Sequence, residues 1–120
     1  MTLQSNASTT SQHPWEISPH EVQQLLADGR DFFFVDCRKP EERETAKIEA
    51  TTPIPMHDLD LHMDELRRRQ NQLIVVHCHG GKRSMIVTTV LRNQGFENVK
   101  SMAGGIDRWS REIDPSVPRY

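Results

Sequence analysis

A short β-branched apolar run, Leu73-Ile74-Val75-Val76, leads through the loop Cys78-His79-Gly80-Gly81-Lys82-Arg83-Ser84 into an amphipathic helical pattern. An apolar run without alternation predicts a strand buried on both faces, and only a sheet covered by helices on each side offers that environment. The succession of strand, turn and helix recurs along the chain. Trp15-Glu16-Ile17 reads as a short strand, and Ser18-Pro19-His20-Glu21 reads as a capping box with proline at the first helical position. Val22, Leu25 and Leu26 then form one apolar stripe until Gly29. Phe32 to Cys37 predicts a buried strand, Pro40 to about Ala46 a short polar helix, Ile54 a brief strand between Pro53 and Pro55, and Leu61 to Arg69 a helix with Leu66 inward. After the strand from Leu73 to His77, the residues Ile86, Val87, Val90 and Leu91 mark the expected buried side of a helix that ends at Gly95. Asn98 to Met102 predicts the last strand, and Ile106, Trp109 and Ile113 share one face of the last helix. Strands that alternate with helices imply βαβ units. The expected fold is a single α/β domain with a mainly parallel sheet of about five strands and helices on both faces.

At 120 residues the chain has room for one ordinary core. Residues 1–14, rich in Ser, Thr, Gln and Asn, predict a disordered tail, residues 15–113 the domain, and residues 114–120, with two prolines, an extended tail. A net charge of −2 gives no nucleic-acid footprint, and the basic run Arg67-Arg68-Arg69 lies beside Asp64 and Glu65 as a solvated helix face does. No run approaches the roughly 18 apolar residues that span a bilayer, and the start of the chain lacks a signal-peptide pattern, so no membrane partner and a cytoplasmic location are expected. Two cysteines do not make a disulfide framework, which agrees with a free working thiol.

The loop after the Leu73 strand suits a nucleophile. Where a strand ends and a helix begins, unpaired backbone N–H groups and the helix dipole stabilise an anion. Cys78 opens that cradle, Gly80 and Gly81 allow the backbone to approach the anion closely, and Lys82 and Arg83 add positive charge that favours thiolate over thiol. Arg83 either supports the anion or pairs with a carboxylate such as Asp36, and the two roles are compatible. Ser84 is first a helix-start residue whose hydroxyl caps backbone donors, and second a substrate contact. His79 either tunes the mouth of the loop or faces solvent, and His77 is expected as a hydrogen-bonded residue at the strand end. A metal centre built from His77, Cys78, His79, His57 and His62 is disfavoured, because adjacent strand residues face opposite ways and zinc ligand pairs need about two to five intervening residues. No metal and no cofactor are expected. Cys37, at the end of a neighbouring strand, is either a small buried residue in a Val-sized slot or a resolving thiol for Cys78.

Four residues separate Cys78 from Arg83, one fewer than in the Cys-x5-Arg loop of cysteine-dependent phosphatases, so the cradle is narrower than a tetrahedral phosphate needs. Cys78, Gly81, Arg83 and Ser84 resemble the Cys-x-x-Gly-x-Arg-[Ser/Thr] loop of the rhodanese (sulfurtransferase) family. Phe34-Val35-Asp36-Cys37-Arg38 with Glu41 resembles that family's Asp-Val-Arg strand end, and Gly104-Gly105-Ile106-Asp107-Arg108-Trp109, preceded by Gln94 to Val99, resembles its last strand and Gly-Gly-x-x-x-Trp helix start. The departures are Ala46-Lys47-Ile48-Glu49-Ala50-Thr51, where Gly-His-Ile-x-Gly-Ala is usual, and Cys37 in place of the common Val. The resemblance implies a sulfurtransferase that takes a sulfane sulfur from a donor such as thiosulfate onto Cys78 as a persulfide, held by the loop from His79 to Ser84. It implies an acceptor that is cyanide, a thiol or a sulfur-carrier protein, with Asp36 and Arg38 behind the site. Two alternatives stand beside it: a cysteine-dependent phosphatase or arsenate-reductase-like enzyme, and a non-catalytic sulfur-carrier or protein-interaction module.

Overall fold

The computed structural model describes residues 13–120, so the expected tail over residues 1–14 lies outside the described part except for its last two positions. The order of elements is β1 (Glu16–Ile17), α1 (Pro19–Ala27), β2 (Phe32–Asp36), α2 (Pro40–Thr45), β3 (Thr52–Pro53), a 3₁₀ helix (Met56–His62), α3 (Met63–Arg68), β4 (Leu73–His77), α4 (Lys82–Asn93), β5 (Val99–Met102) and α5 (Gly105–Glu112). All strand pairs are parallel, in the order β1-β5-β4-β2-β3. The fold is thus an α/β domain around a five-stranded parallel sheet.

Side-chain alternation divides the interior into two layers. Phe33, Val35, Ile74, Val76 and Val99 face Leu66 of α3 and Val87 and Leu91 of α4, while Phe34, Val75 and Met102 face Val22 of α1 and Ile106 and Trp109 of α5. Both faces of the sheet are therefore covered. That is why β2 and β4 are apolar at nearly every position. The Ser18 capping box closes as its residues predict, with Ser18 Oγ accepting from Glu21 N at 3.1 Å and Glu21 Oε1 accepting from Ser18 N at 2.9 Å.

Three expectations change. The brief strand is Thr52–Pro53, with Ile54 just beyond it, 1% exposed and donating its N–H to Asp36 O at 2.9 Å. The buried side of α4 is Ser84, Val87, Thr88 and Leu91, whereas Ile86 and Val90 are 50% and 37% exposed. Both sets have helical spacing, and the phase is decided by the loop: Gly81, at φ +107°, starts the helix so that Ser84 turns inward onto the sulfur. Residues 114–120 are not an extended tail. They fold back, with Val117 in the core below α5, its carbonyl accepting from Ser110 Oγ at 2.9 Å, and Tyr120 over the Cys78 loop.

The chain leaves β2 outward to β3 and leaves β4 the other way, to β5. The connections diverge at the carboxyl ends of β2 and β4, the place where sheets of this kind carry their sites. Cys37 and Cys78 occupy those two ends.

Candidate active site

Cys78 follows β4 directly, and its Sγ accepts from Gly81 N at 3.1 Å and Ser84 N at 3.3 Å, with Ser84 Oγ at 3.4 Å. The left-handed Gly81 is what turns those amides onto the sulfur. A Cβ at Gly81 would also stand 3.3 Å from Gly104 N. Ser84 Oγ is itself fixed by Ser101 Oγ of β5 at 2.7 Å. The sequence offered no sign of Ser101, because nothing local ties it to the loop.

The loop rests on the start of α5. Ile106 N donates to Cys78 O at 2.9 Å and Asp107 N to His79 O at 3.0 Å, so the first amides of one helix hold the carbonyls of the other helix's cradle. Gly105, at φ +59°, makes this approach possible, since a Cβ there would lie 2.3 Å from His79 O and 2.5 Å from Cys78 O. The Gly104-Gly105 pair noted in the sequence is thus part of the site's foundation.

Cys37 and Cys78 meet in one buried cluster at the ends of the paired strands β2 and β4. This contact, together with the Ser84 hydroxyl and the amides of Ser84 and Gly81, lowers the Cys78 pKa to about 4 even though burial works to raise it. Cys37 moves the other way, pushed up first by its hydrogen bond to Cys78 and then by burial. The two thiols are thus pushed in opposite directions, Cys78 down and Cys37 up.

Arg83 does not reach Asp36. It makes a fork to Glu42 of α2, Nη1 to Oε1 at 2.6 Å and Nη2 to Oε2 at 2.9 Å. Asp36 is taken by two other arginines: Arg38 binds it through Nε at 2.9 Å and Nη2 at 2.8 Å, and Arg43 through Nη1 at 3.0 Å. Burial works to raise the Asp36 carboxyl, and the Arg38 hydrogen bonds together with the charges of His77 and Arg38 outweigh it, so the group is lowered. Arg38, 2% exposed, also donates to Ala46 O at 2.7 Å, which ties the unusual segment after α2 to the strand end. Arg43 completes that turn by donating to Thr51 Oγ1 at 2.8 Å.

Tyr120 stacks on His79, with ring centroids 4.3 Å apart, accepts from Arg38 Nη1 at 2.9 Å and donates to Glu42 Oε2 at 2.8 Å. His79 is therefore covered on one face. The Glu42 carboxyl is lowered to about 2, chiefly by Arg83, with Tyr120 and the Lys39 amide assisting against burial. Neither Glu42 nor Tyr120 was legible as a site residue, since the first lies 41 and the second 78 and 82 positions from the groups they bind. With this cover in place Cys78 is 1% exposed. Gly80 and Lys82 are exposed at its rim.

His77 turns to the opposite face of the sheet, against Phe34, with ring centroids 5.7 Å apart. Its Nδ1 donates to Cys78 O at 3.2 Å, and burial drives its imidazole below its ordinary value. Among the described residues no group of three or more His, Cys, Asp and Glu could hold a metal ion, and no helix is long and apolar enough to cross a membrane. A groove of about 1030 Å³ bordered by Ala46, Ile48, Trp109 and Val117 lies away from Cys78 and holds none of the loop.

The sequence model of the Rhodanese-like domain matches residues 18–112. The chain belongs to the rhodanese-like domain family. It is 33% identical over 102 residues to a sulfurtransferase of Allochromatium vinosum, covering 85% of this chain and 94% of that protein. It is 35% identical to the adenylyltransferase and sulfurtransferase uba4 of Ogataea parapolymorpha, of which it spans 25%. Among solved structures, a thiosulfate sulfurtransferase from Pseudomonas aeruginosa superposes with a TM-score of 0.73 at 28% identity, covering 90% of this chain and 20% of that one. A rhodanese-related protein from Thermoplasma volcanium shares the fold with a TM-score of 0.73 at 24% identity, over 88% of this chain and 98% of the other. The unit this rhodanese-like domain matches makes up nearly all of the Allochromatium vinosum protein and a quarter or less of the Ogataea parapolymorpha and Pseudomonas aeruginosa chains.

Proposed function

We propose that this domain is a sulfurtransferase that carries sulfane sulfur on Cys78. The observation that bears most weight is the Cys78 Sγ held by the amides of Gly81 and Ser84, a cradle that accommodates one sulfur anion and its attached atom. The Cys78 thiolate attacks the outer sulfur of a donor such as thiosulfate, the bond between the two donor sulfurs breaks, and sulfite leaves with the bonding pair. The persulfide left on Cys78 keeps one negative charge, which the loop amides from His79 to Ser84 then face. A thiol, cyanide or sulfur-carrier protein removes the outer sulfur in the second half-reaction, giving ping-pong kinetics. Lys82, exposed at the first turn of α4, draws the anionic donor in, while Arg83 is anchored by Glu42 and adds its charge from the side of the loop. Access to Cys78 requires the His79–Tyr120 cover to part.

The mixed company of the relatives supports a protein acceptor alongside small thiols, since two-part adenylyltransferase and sulfurtransferase chains contain the same unit. Incubation with thiosulfate, rapid desalting and immediate intact mass measurement tests the reading: one sulfur atom is first gained on the protein and none on Cys78→Ser. Thiosulfate:cyanide turnover retained by Cys78→Ser would remove the proposal, as would aryl phosphate hydrolysis in the absence of sulfur loading.

A further inference from the structure

Resting on that reading of Cys78, we propose that Cys37 is the second thiol of the reaction, able to expel the carried sulfur as hydrosulfide by closing a Cys37–Cys78 disulfide. Cys37 and Cys78 are the next residues beyond the register pair Asp36↔His77 of the adjacent parallel strands β2 and β4. Cys37 N donates to His77 O at 3.0 Å, so the pairing persists to the strand ends. Neighbouring strands run about 4.8 Å apart, inside the roughly 4.4 to 6.8 Å range of Cα separations that a disulfide accepts. Both side chains point to the same layer, in one cluster with Val35, Val76 and Val87, and each residue is 1% exposed. Both thiols are free. A resolving thiol needs proximity, a shared face and exclusion of competing water, and the two strand ends supply all three.

The step balances without an added oxidant. After loading, Cys37 is a thiol and Cys78 a persulfide anion. Cys37 Sγ attacks the inner sulfur, Cys78 Sγ, and the bond from that sulfur to the outer one breaks. The outer sulfur leaves with the bonding pair and takes the Cys37 proton as HS⁻. The sulfane sulfur is reduced by two electrons, and the two cysteine sulfurs together are oxidised by two. An external dithiol reopens the disulfide by exchange and returns the domain to its starting state. The same chain then delivers sulfane sulfur when an acceptor reaches the persulfide first, and sulfide when Cys37 does.

The test is anaerobic and uses the whole chain. Wild type, Cys37→Ser and Cys37→Val are loaded with one equivalent of thiosulfate, desalted without reductant, and followed by intact mass and free-sulfide assay. The valine variant keeps the slot filled if serine weakens the fold. The wild-type protein is expected to lose its extra sulfur at least about tenfold faster than either variant, the factor expected for a nucleophile held in place. It should release one sulfide per loaded chain and end two hydrogens lighter than the unloaded protein, with Cys37 and Cys78 joined in a peptide map. Equal lifetimes of the persulfide in all three proteins, or sulfide release with no disulfide, would overturn the role of Cys37 and leave sulfur carriage on Cys78 intact. Failure of all three to take up sulfur would overturn both.

Discussion

A thiol gives up its proton when something nearby stabilises the anion more than burial destabilises it, and at Cys78 four donors outweigh one desolvation. The reactivity of Cys78 should therefore show an unusual pH profile. Alkylation by a neutral reagent is expected to hold a plateau through neutral pH and to decline only as pH falls toward about 4, whereas an ordinary thiol loses reactivity below about 9. Ser84→Ala removes one of the donors and frees Ser101, so the midpoint should rise by about one pH unit. Stopped-flow alkylation across pH measures both, and a wild-type midpoint near the ordinary thiol value would contradict the cradle. Local pattern placed Cys78, the glycines and Ser84 at the strand-to-helix turn where the structure has them, because a strand end, a left-handed turn and a helix start leave marks on neighbouring residues. It was a poor guide to Arg83, whose partner Glu42 lies on another helix.

Two elements carry the loop: α2 from the side and α5 from beneath. Glu42 is lowered from the ordinary glutamate value of 4.5 to about 2 in the fold. A carboxyl lowered by folding contributes stability that is complete above its unfolded value and is lost as pH falls toward its folded value. The Arg83 clamp should thus be worth about 1–3 kcal/mol near neutrality and fade between pH of about 5 and 2. Urea unfolding of wild type and Glu42→Gln at a series of pH values reads this directly, and the two curves should converge in acid. Beneath the loop, Gly105→Ala forces a left-handed alanine against the carbonyls of Cys78 and His79. A cost of about 2–4 kcal/mol is expected, together with slower thiolate alkylation as the loop is pushed off α5. Thermal unfolding and the same alkylation assay check it. A Gly105→Ala protein as stable as wild type would show that α5 yields easily.

For the molecule as a whole, the decisive feature is that the last residues return to the first functional one. Val117 plugs the lower core, and Tyr120 lies on His79 while linking Arg38 to Glu42. Tyr120→Ala should raise the alkylation rate of Cys78 several-fold at neutral pH while leaving the unfolding temperature nearly unchanged, because Tyr120 is 42% exposed and little core depends on it. An unchanged alkylation rate would mean that the ring does not gate the sulfur. By itself the order of residues determined the parallel α/β layering, the place of Cys78 at a strand-to-helix junction and the capping of α1, since each depends on periodicity or turn chemistry within a few positions. Only the tertiary structure decided the phase of α4, the capture of Arg83 by Glu42 and the descent of the final residues onto His79. Those depend on which distant segments share a face once the sheet has formed, and a linear pattern of polar and apolar residues holds no information about a partner forty or eighty positions away.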